Sequence, residues 1–385
     1  MEKNKHIPYN KPYLSGNETK YINQAVTERC KISGNGYFTQ KCQAFFEEYF
    51  GCDRALLTTS CTDALEMVSL LLNIKEGDEV IIPSYTSVST ANPFVLRGAN
   101  IVFADSRADE PNIDVKEIER LISSRTKAIV VVHYAGFACE MDEIMEVCDK
   151  NDIPLIEDAA QAIDSFYKGK RLGTFGCMST FSFHETKNII SGEGGVLIVN
   201  DAQYSERAEV IWEKGTNRNK FFQGGVNKYN WLDLGSSFLP SEINAAYLFA
   251  QLENLEKIQS RRKEIWAKYL FELKELEDKV GLPYIPDYAT NNGHIFFLVT
   301  KDLKERDTLL KYLRRANINA VFHYLPLHLS PYYSKLISGD LPDLFNASLY
   351  GKQLIRLPLF VELKDQEVAY ICKTIKQFFS LSSNS

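Results

Sequence analysis

From about residue 54 the chain alternates short, wholly apolar runs with longer stretches whose apolar residues recur every three or four positions. RALLTT is strand-like, and CTDALEMVSLLLN after it puts Leu65, Val68, Leu71 and Leu72 at helical spacing. DEVIIP is followed by TSVSTANPFVLRG, NIVFAD by DVKEIERLIS, and KAIVVVHY by EMDEIMEVCDKN; then come IPLIEDAA, MSTFSF and GGVLIV. Short strands without polar alternation are buried on both faces, as in a mostly parallel sheet covered by helices. The pattern predicts an α/β domain of the doubly wound kind.

After DAQYSERAEVIWEKG a polar, aromatic stretch runs to about Leu239. One long helical pattern, SEINAAYLFAQLENLEKIQSRRKEIWAKYLFELKEL, then reads as a bridge between domains. HIFFLVT predicts a strand, ERDTLLKYLRRANI a helix, NAVFHY a strand and DQEVAYICKTIKQFFS a closing helix, with SLSSNS as a frayed tail. The expected division is a large α/β domain over 1–252 and a smaller α+β domain over 253–385, which a chain of 385 residues can fill.

Composition removes some functions. A net charge of −6 gives no attraction to nucleic acid or an anionic membrane, so neither is expected as a partner. Any phosphate-bearing ligand must be held by local donors. No apolar run reaches spanning length, and MEKNKHIPYNKPYL lacks the apolar core of a signal peptide. Eight cysteines lie scattered without a C-x-x-C pair, as reduced thiols in a cytoplasmic protein without a metal site would.

Three constellations carry candidate chemistry. In TTSCTDALE a strand ends near Thr58 and a helix starts near Thr62 or Asp63, with Ser60 and Asp63 at capping-box spacing. Such an end is either an ordinary capped helix or a phosphate site. In PLIEDAAQAIDS a buried run delivers Glu157, Asp158 and Gln161 to the carboxyl edge of a central strand, where ligands of open α/β sheets bind. Asp158 there is a helix cap or the partner of a buried cation. In FSFHETKNIISGEGG, Lys187 stands between an apolar run and Gly192, Gly194 and Gly195, with Ser182 and His184 before it on alternating faces. Alone it reads as a solvated loop lysine or as an amine made nucleophilic by burial. A phosphate cradle, an acid for a ring nitrogen and a lysine for a Schiff base are together the fittings of a pyridoxal phosphate enzyme.

The stretches GDEVI, PSYT, FVLRGA, EDAAQ, FSFHETKN, GEGG, EKGTNR and VFHYLPLH resemble the sugar nucleotide aminotransferases of the DegT-like family. These have the PLP-dependent transferase fold type I, the aspartate aminotransferase-like scaffold, and the resemblance runs from IPYNKPYLSGNE to IRLPLF. It implies pyridoxal 5'-phosphate as cofactor, with Lys187 as its covalent anchor, Asp158 paired with the pyridinium nitrogen and Gln161 on the ring hydroxyl. Thr62 and Asp63 would bind the cofactor phosphate, with Ser182 adding a hydroxyl. Lys214 and Arg218 of EKGTNRNKFF are diphosphate candidates or, alternatively, a solvated helix end. His323, Tyr324 and His328 of FHYLPLH would face the substrate cleft, His184 would contact substrate, and His133 would support the sheet edge. The implied reaction converts a dTDP-4-keto-6-deoxyhexose to the 4-amino-4,6-dideoxy sugar of galacto configuration. L-Glutamate is the implied donor, and a surface polysaccharide such as an O antigen of lipopolysaccharide the destination. A homodimer with shared active sites is implied too, and KFFQGGVNKYNW suits a subunit contact.

Two positions depart from the family pattern. Ser87 stands where a ring usually stacks on the cofactor, so either Tyr85 or a group from a neighbouring chain supplies the stack, or the cofactor is held more loosely. GSSFLPS replaces a G-x-N-x-R-like segment, so no role passes to Ser236 or Ser237. The competing readings are an aminotransferase making the 4-amino-gluco epimer, a 3-amino sugar or a GDP-linked product, a cofactor-dependent sugar dehydratase, and a non-catalytic cofactor-binding regulator. The dehydratase uses a histidine in place of the lysine present here.

Overall fold

Seven short strands assemble because none has a polar face to offer to water. The computed structural model describes residues 6–222, 224–225, 227–337 and 339–382. Its main sheet contains β1 (Arg54–Thr58), β2 (Glu79–Pro83), β3 (Asn100–Ala104), β4 (Thr126–Val132), β5 (Leu155–Asp158), β6 (Met178–Ser182) and β7 (Gly195–Val199). The order is β1-β7-β6-β5-β4-β2-β3, and only β7 runs against the rest. The expected α/β fold with a mostly parallel sheet is therefore present.

Alternate residues of each strand enter two cores. Leu56, Val80, Ile82, Val130, Ile156 and Leu197 meet α2 (Cys61–Leu71), α3 (Val88–Val95) and α6 (Ser205–Trp212) on one face. Leu57, Ile81, Ile129, Val131 and Ile198 meet α1 (Tyr37–Phe50), α4 (Val115–Leu121), α5 (Met141–Asn151) and α7 (Glu242–Leu252) on the other. Glu242 of α7 is buried and accepts the amides of Gly36, Phe38 and Thr39 at 2.8–3.0 Å. It thus satisfies the open N-terminal donors of α1 and complements that helix's dipole.

The long helical pattern divides. α7 ends at Leu252 and α8 (Leu255–Leu273) starts after a turn at Glu253–Asn254, where the Asn254 side chain donates to the Ala250 carbonyl at 3.0 Å. An amphipathic period survives such a break, which is why the sequence reads as one helix. The C-terminal part pairs β8 (Phe296–Val299) antiparallel with β9 (Leu354–Leu357), beside α9 (Leu303–Arg315) and α10 (Asp365–Ser382). NAVFHY is not a strand: it contributes one isolated bridge, Val321 to Arg356. The second strand is instead LIRL, whose Leu354, Ile355 and Leu357 are fully buried. The closing helix extends through Ser382, further than a tail fraying at residue 380, while 383–385 lie outside the described residues. Within KFFQGGVNKYNW, positions 223 and 226 lie outside them too.

Glu157, the penultimate residue of β5, is fully buried. Its carboxylate accepts the amides of Gly173 (2.7 Å), Phe175 (2.7 Å) and Gly176 (2.8 Å), and His133 Nε2 lies 3.0 Å away. Burial pushes its pKa up, yet His133 and the amides outweigh burial and hold it below the ordinary carboxylate value. Glu157→Gln faces an amide N–H₂ against backbone N–H groups, an expected loss of about 2–3 kcal/mol in urea unfolding. A depressed folded pKa makes this stabilisation present above the unfolded value of 4.5 and lost as pH falls through the folded value. The gap between wild type and variant should therefore close in acid.

Candidate active site

Asp158 ends β5 and pairs in register with Thr180 of the neighbouring β6, so the carboxyl ends of both strands open at one edge. β6 continues through Ser182 into a turn: Phe183 N–H donates to Gly194 O (2.8 Å) and Glu185 N–H to Gly192 O (2.9 Å). Gly192 takes φ +82°, where an L side chain is strained. This turn carries Lys187, whose amide donates to His184 O at 2.8 Å.

The helix start beside it is α2. Ser60 is its N-cap, accepting the Asp63 amide at 3.1 Å. The amides of Cys61 and Thr62, one residue into the helix, have no intrahelical acceptor and remain for a ligand. Gly195 makes room for them, since a Cβ there would lie 2.5 Å from the Cys61 nitrogen.

A cavity of about 270 Å³ lies between these elements. Lys187, Asp158, Gln161, Thr62, Ser182, His184 and Tyr324 all line it, so seven of the residues singled out in the sequence meet in one place. Ser60, Cys61, Thr86, Ser87, Ser89, Thr186 and Glu193 complete its polar wall. Asp158 is buried; Thr90 Oγ1 donates to its Oδ2 at 2.7 Å and the Ala160 amide to its Oδ1 at 3.2 Å. Burial raises its pKa despite these donors and the nearby Lys187. Burial lowers that of Lys187, aided by the Arg356 guanidinium and opposed by Asp158. Gln161 accepts the Ala135 amide at 2.8 Å and donates to the Tyr324 hydroxyl at 3.1 Å, which leaves one amide proton for a ligand. His184 is tied to Thr186 at 2.9 Å.

Four predicted residues lie elsewhere. Asp63 turns its carboxylate to the hydroxyls of Thr59 and of Ser60 (3.0 Å), outside the cavity lining. His328 is buried between Ser84 Oγ (2.6 Å) and Ser348 Oγ (3.4 Å), where it holds a loop. Lys214 and Arg218 line a second cavity of about 460 Å³ with Lys31, Asn35, Glu213 and Ser237. Tyr85, proposed above as a stacking ring, packs instead among Tyr134, Tyr324 and Tyr350 and is absent from the lining. Ser87 lines the cavity and caps α3 through the Ser89 amide at 3.3 Å. His323 receives the Tyr134 hydroxyl at 2.7 Å and stacks on Tyr324 with centroids 3.6 Å apart. Burial, Arg356 and Lys187 hold its pKa well below the imidazole range. His133 is spent on Glu157.

Sequence reasoning missed Thr86 and Thr90. Thr86 precedes the extended N-cap Ser87 of α3, so no helical spacing announced the pair. Sequence reasoning also missed Arg356, whose Nε is buried without a hydrogen-bond acceptor. Among the described residues no cluster of histidine, cysteine and carboxylates has a metal-binding arrangement, and no helix is long and apolar enough to cross a membrane.

The profile of the DegT/DnrJ/EryC1/StrS aminotransferase family matches residues 12–376. The GDP-perosamine synthase of Escherichia coli O157:H7 is 33% identical, over 98% of this chain and 99% of that protein. The aminotransferase TlmJ from Streptoalloteichus hindustanus superposes with a TM-score of 0.90 at 27% identity, covering 98% of this chain and 100% of TlmJ. Spr1654 from Streptococcus pneumoniae, solved in its PLP-form, also gives 0.90, at 25% identity, over 97% and 98% of the two chains. With the family match over residues 12–376 and a relative 33% identical across nearly the whole of both chains, this chain belongs to the DegT/DnrJ/EryC1/StrS aminotransferase family.

Proposed function

We propose that this enzyme transfers the amino group of L-glutamate to C4 of a dTDP-4-keto-6-deoxyhexose, giving the 4-amino-4,6-dideoxy sugar of galacto configuration for a surface polysaccharide. The observation that carries the reaction class is the meeting of Lys187 and Asp158 in one cavity with the start of α2. The cofactor is pyridoxal phosphate, and the donor set fits it. The Cys61 and Thr62 amides and the Ser182 hydroxyl suit a phosphate, Asp158 a pyridinium, Gln161 a ring oxygen and Lys187 an aldehyde. Bound there, the cofactor supplies an electron sink for the carbon that loses its proton.

The chain's own groups do the rest. Asp158, ionised, holds a proton at the ring nitrogen. Lys187 Nζ takes a proton from one carbon and returns it at another, which requires the neutral amine that its lowered pKa favours. Tyr324 and His184 stand on the substrate side of the wall.

Lys214 and Arg218 lie in a different cavity of the same chain, so their diphosphate role needs a second copy. We place them in a homodimer with shared sites, which the exposed Tyr229, Trp231, Leu232 and Leu234 beside them support. The proposed division into 1–252 and 253–385 leaves every lining residue except Tyr324 in the large domain.

Similarity to a GDP-perosamine synthase favours a second reading, a GDP-linked 4-keto sugar. Incubation with glutamate and dTDP- and GDP-linked 4-keto-6-deoxyhexoses, with product configuration read by NMR, decides between them. The dTDP substrate should yield the axial C4 amine, and exclusive turnover of the GDP substrate would establish the alternative. Lys187→Ala should bind pyridoxal phosphate without covalent capture by borohydride and lose roughly 10³-fold or more in turnover. With Lys187 depressed, the acid limb of kcat against pH should lie below the ordinary lysine value of 10.5, rising with pH as the amine loses its proton. A limb at or above 10.5 would remove Lys187 as the proton carrier.

A further inference from the structure

Thr90, in the first turn of α3, lies fully buried, and Thr86, four residues earlier and just before the Ser87 N-cap, is also buried at the cavity lining. Their hydroxyl oxygens are 2.9 Å apart, and Thr90 Oγ1 is 2.7 Å from Asp158 Oδ2. The direction of this chain follows from proton counting. An ionised carboxylate only accepts, so the single proton of Thr90 goes to Asp158. Thr90 then has only lone pairs to offer Thr86, and Thr86 must donate to Thr90. The hydroxyl protons of both residues are thereby aligned toward one carboxylate oxygen, and each bond polarises the next. The Ala160 amide fixes the other oxygen at 3.2 Å.

We propose that Thr90 and Thr86 are positioning residues that fix the orientation of the Asp158 carboxylate for the cofactor ring nitrogen, Thr86 acting only through Thr90. The inference rests on the reading of Asp158 given above. It assigns a purpose to the PSYTSVST segment other than ring stacking, in a chain that carries Ser87 at the stacking position.

The test uses Thr90→Val, Thr86→Val, the double variant, Thr90→Ser and Asp158→Asn in the full chain. Three quantities are read: the dissociation constant of the apoenzyme for pyridoxal phosphate, from quenching of intrinsic fluorescence, and the rate and the KM of the glutamate half-reaction. Thr90→Val should weaken cofactor binding about tenfold and slow the half-reaction about 10- to 100-fold, with the KM for glutamate little changed. Thr90→Ser should restore both to within about threefold, because the hydroxyl returns. Thr86→Val should show a smaller loss, and the double variant should match Thr90→Val, since a residue acting only through another adds nothing once that residue is silent. If Thr90→Val does not fold, Thr90→Ala replaces it on the same criteria. Wild-type values for the Thr90 variant beside an impaired Asp158→Asn would overturn the inference alone. Wild-type values for Asp158→Asn would overturn the underlying reading of Asp158. Multiplying losses in the double variant would show that Thr86 acts independently and would end the relay.

Discussion

Everything at the cavity edge depends on how the chain accommodates one buried carboxylate, that of Glu157. An ion of this kind inside a sheet is tolerable only when its oxygens are fully hydrogen-bonded. Here the donors are three amides of the 173–176 turn and His133 at the end of β4. That turn leads directly into β6, so satisfying Glu157 also fixes where β6 begins relative to β5. Because a strand alternates its faces, the next residue, Asp158, points the other way, into the cavity. The same register decides how far β6 runs before its turn presents Lys187. One satisfied anion therefore sets the relation between the catalytic acid and the lysine.

The cavity then works with few charges. Burial raises the pKa of Asp158 and lowers that of Lys187, each easing the other only in part. Burial first, and then Lys187 and Arg356, hold the pKa values of His294 and His323 well below the imidazole range. In the proposed reading the cofactor phosphate, in a chain of net charge −6, is held by local donors, the open amides of α2 and hydroxyls beside them. Gly195 is needed because β7 passes so close to those amides that a methyl group would fill the cradle.

Much of this was legible from the residues. Wholly apolar strands announced a sheet covered on both faces, and the strand-edge rule placed Asp158, Gln161 and the α2 start together. Lys187 joined them because its glycines permit one turn and one close approach. What failed did so for physical reasons. A helical period cannot reveal the break at Asn254, since Leu252 before it and Leu255 and Ile258 after it are buried in the same core. NAVFHY has strand composition, yet β8 finds its partner in LIRL, nearly 60 residues from β8 along the chain. His328 looked like a cleft residue by its neighbours Tyr324 and His323, but two serines far along the chain hold it elsewhere. Asp63 has capping-box spacing, and that spacing describes what it does: its carboxylate serves hydroxyls of the cap.

The size of the cavity bears on the substrate. About 270 Å³ lies at the lower edge of what ligand sites occupy. In the proposed reading a sugar nucleotide extends outward from Lys187, beyond Tyr324 and His184, with its diphosphate several bonds from the reacting carbonyl. The lining offers no arginine for that diphosphate. Lys31, Lys214 and Arg218 stand around the larger cavity, next to an exposed apolar strip that a lone chain would leave in water. In the proposed homodimer, pairing two copies would cover the strip and bring these cations to the substrate diphosphate. In the proposed dimer, specificity for the nucleotide is then a property of the interface, while specificity for the amine chemistry belongs to each chain.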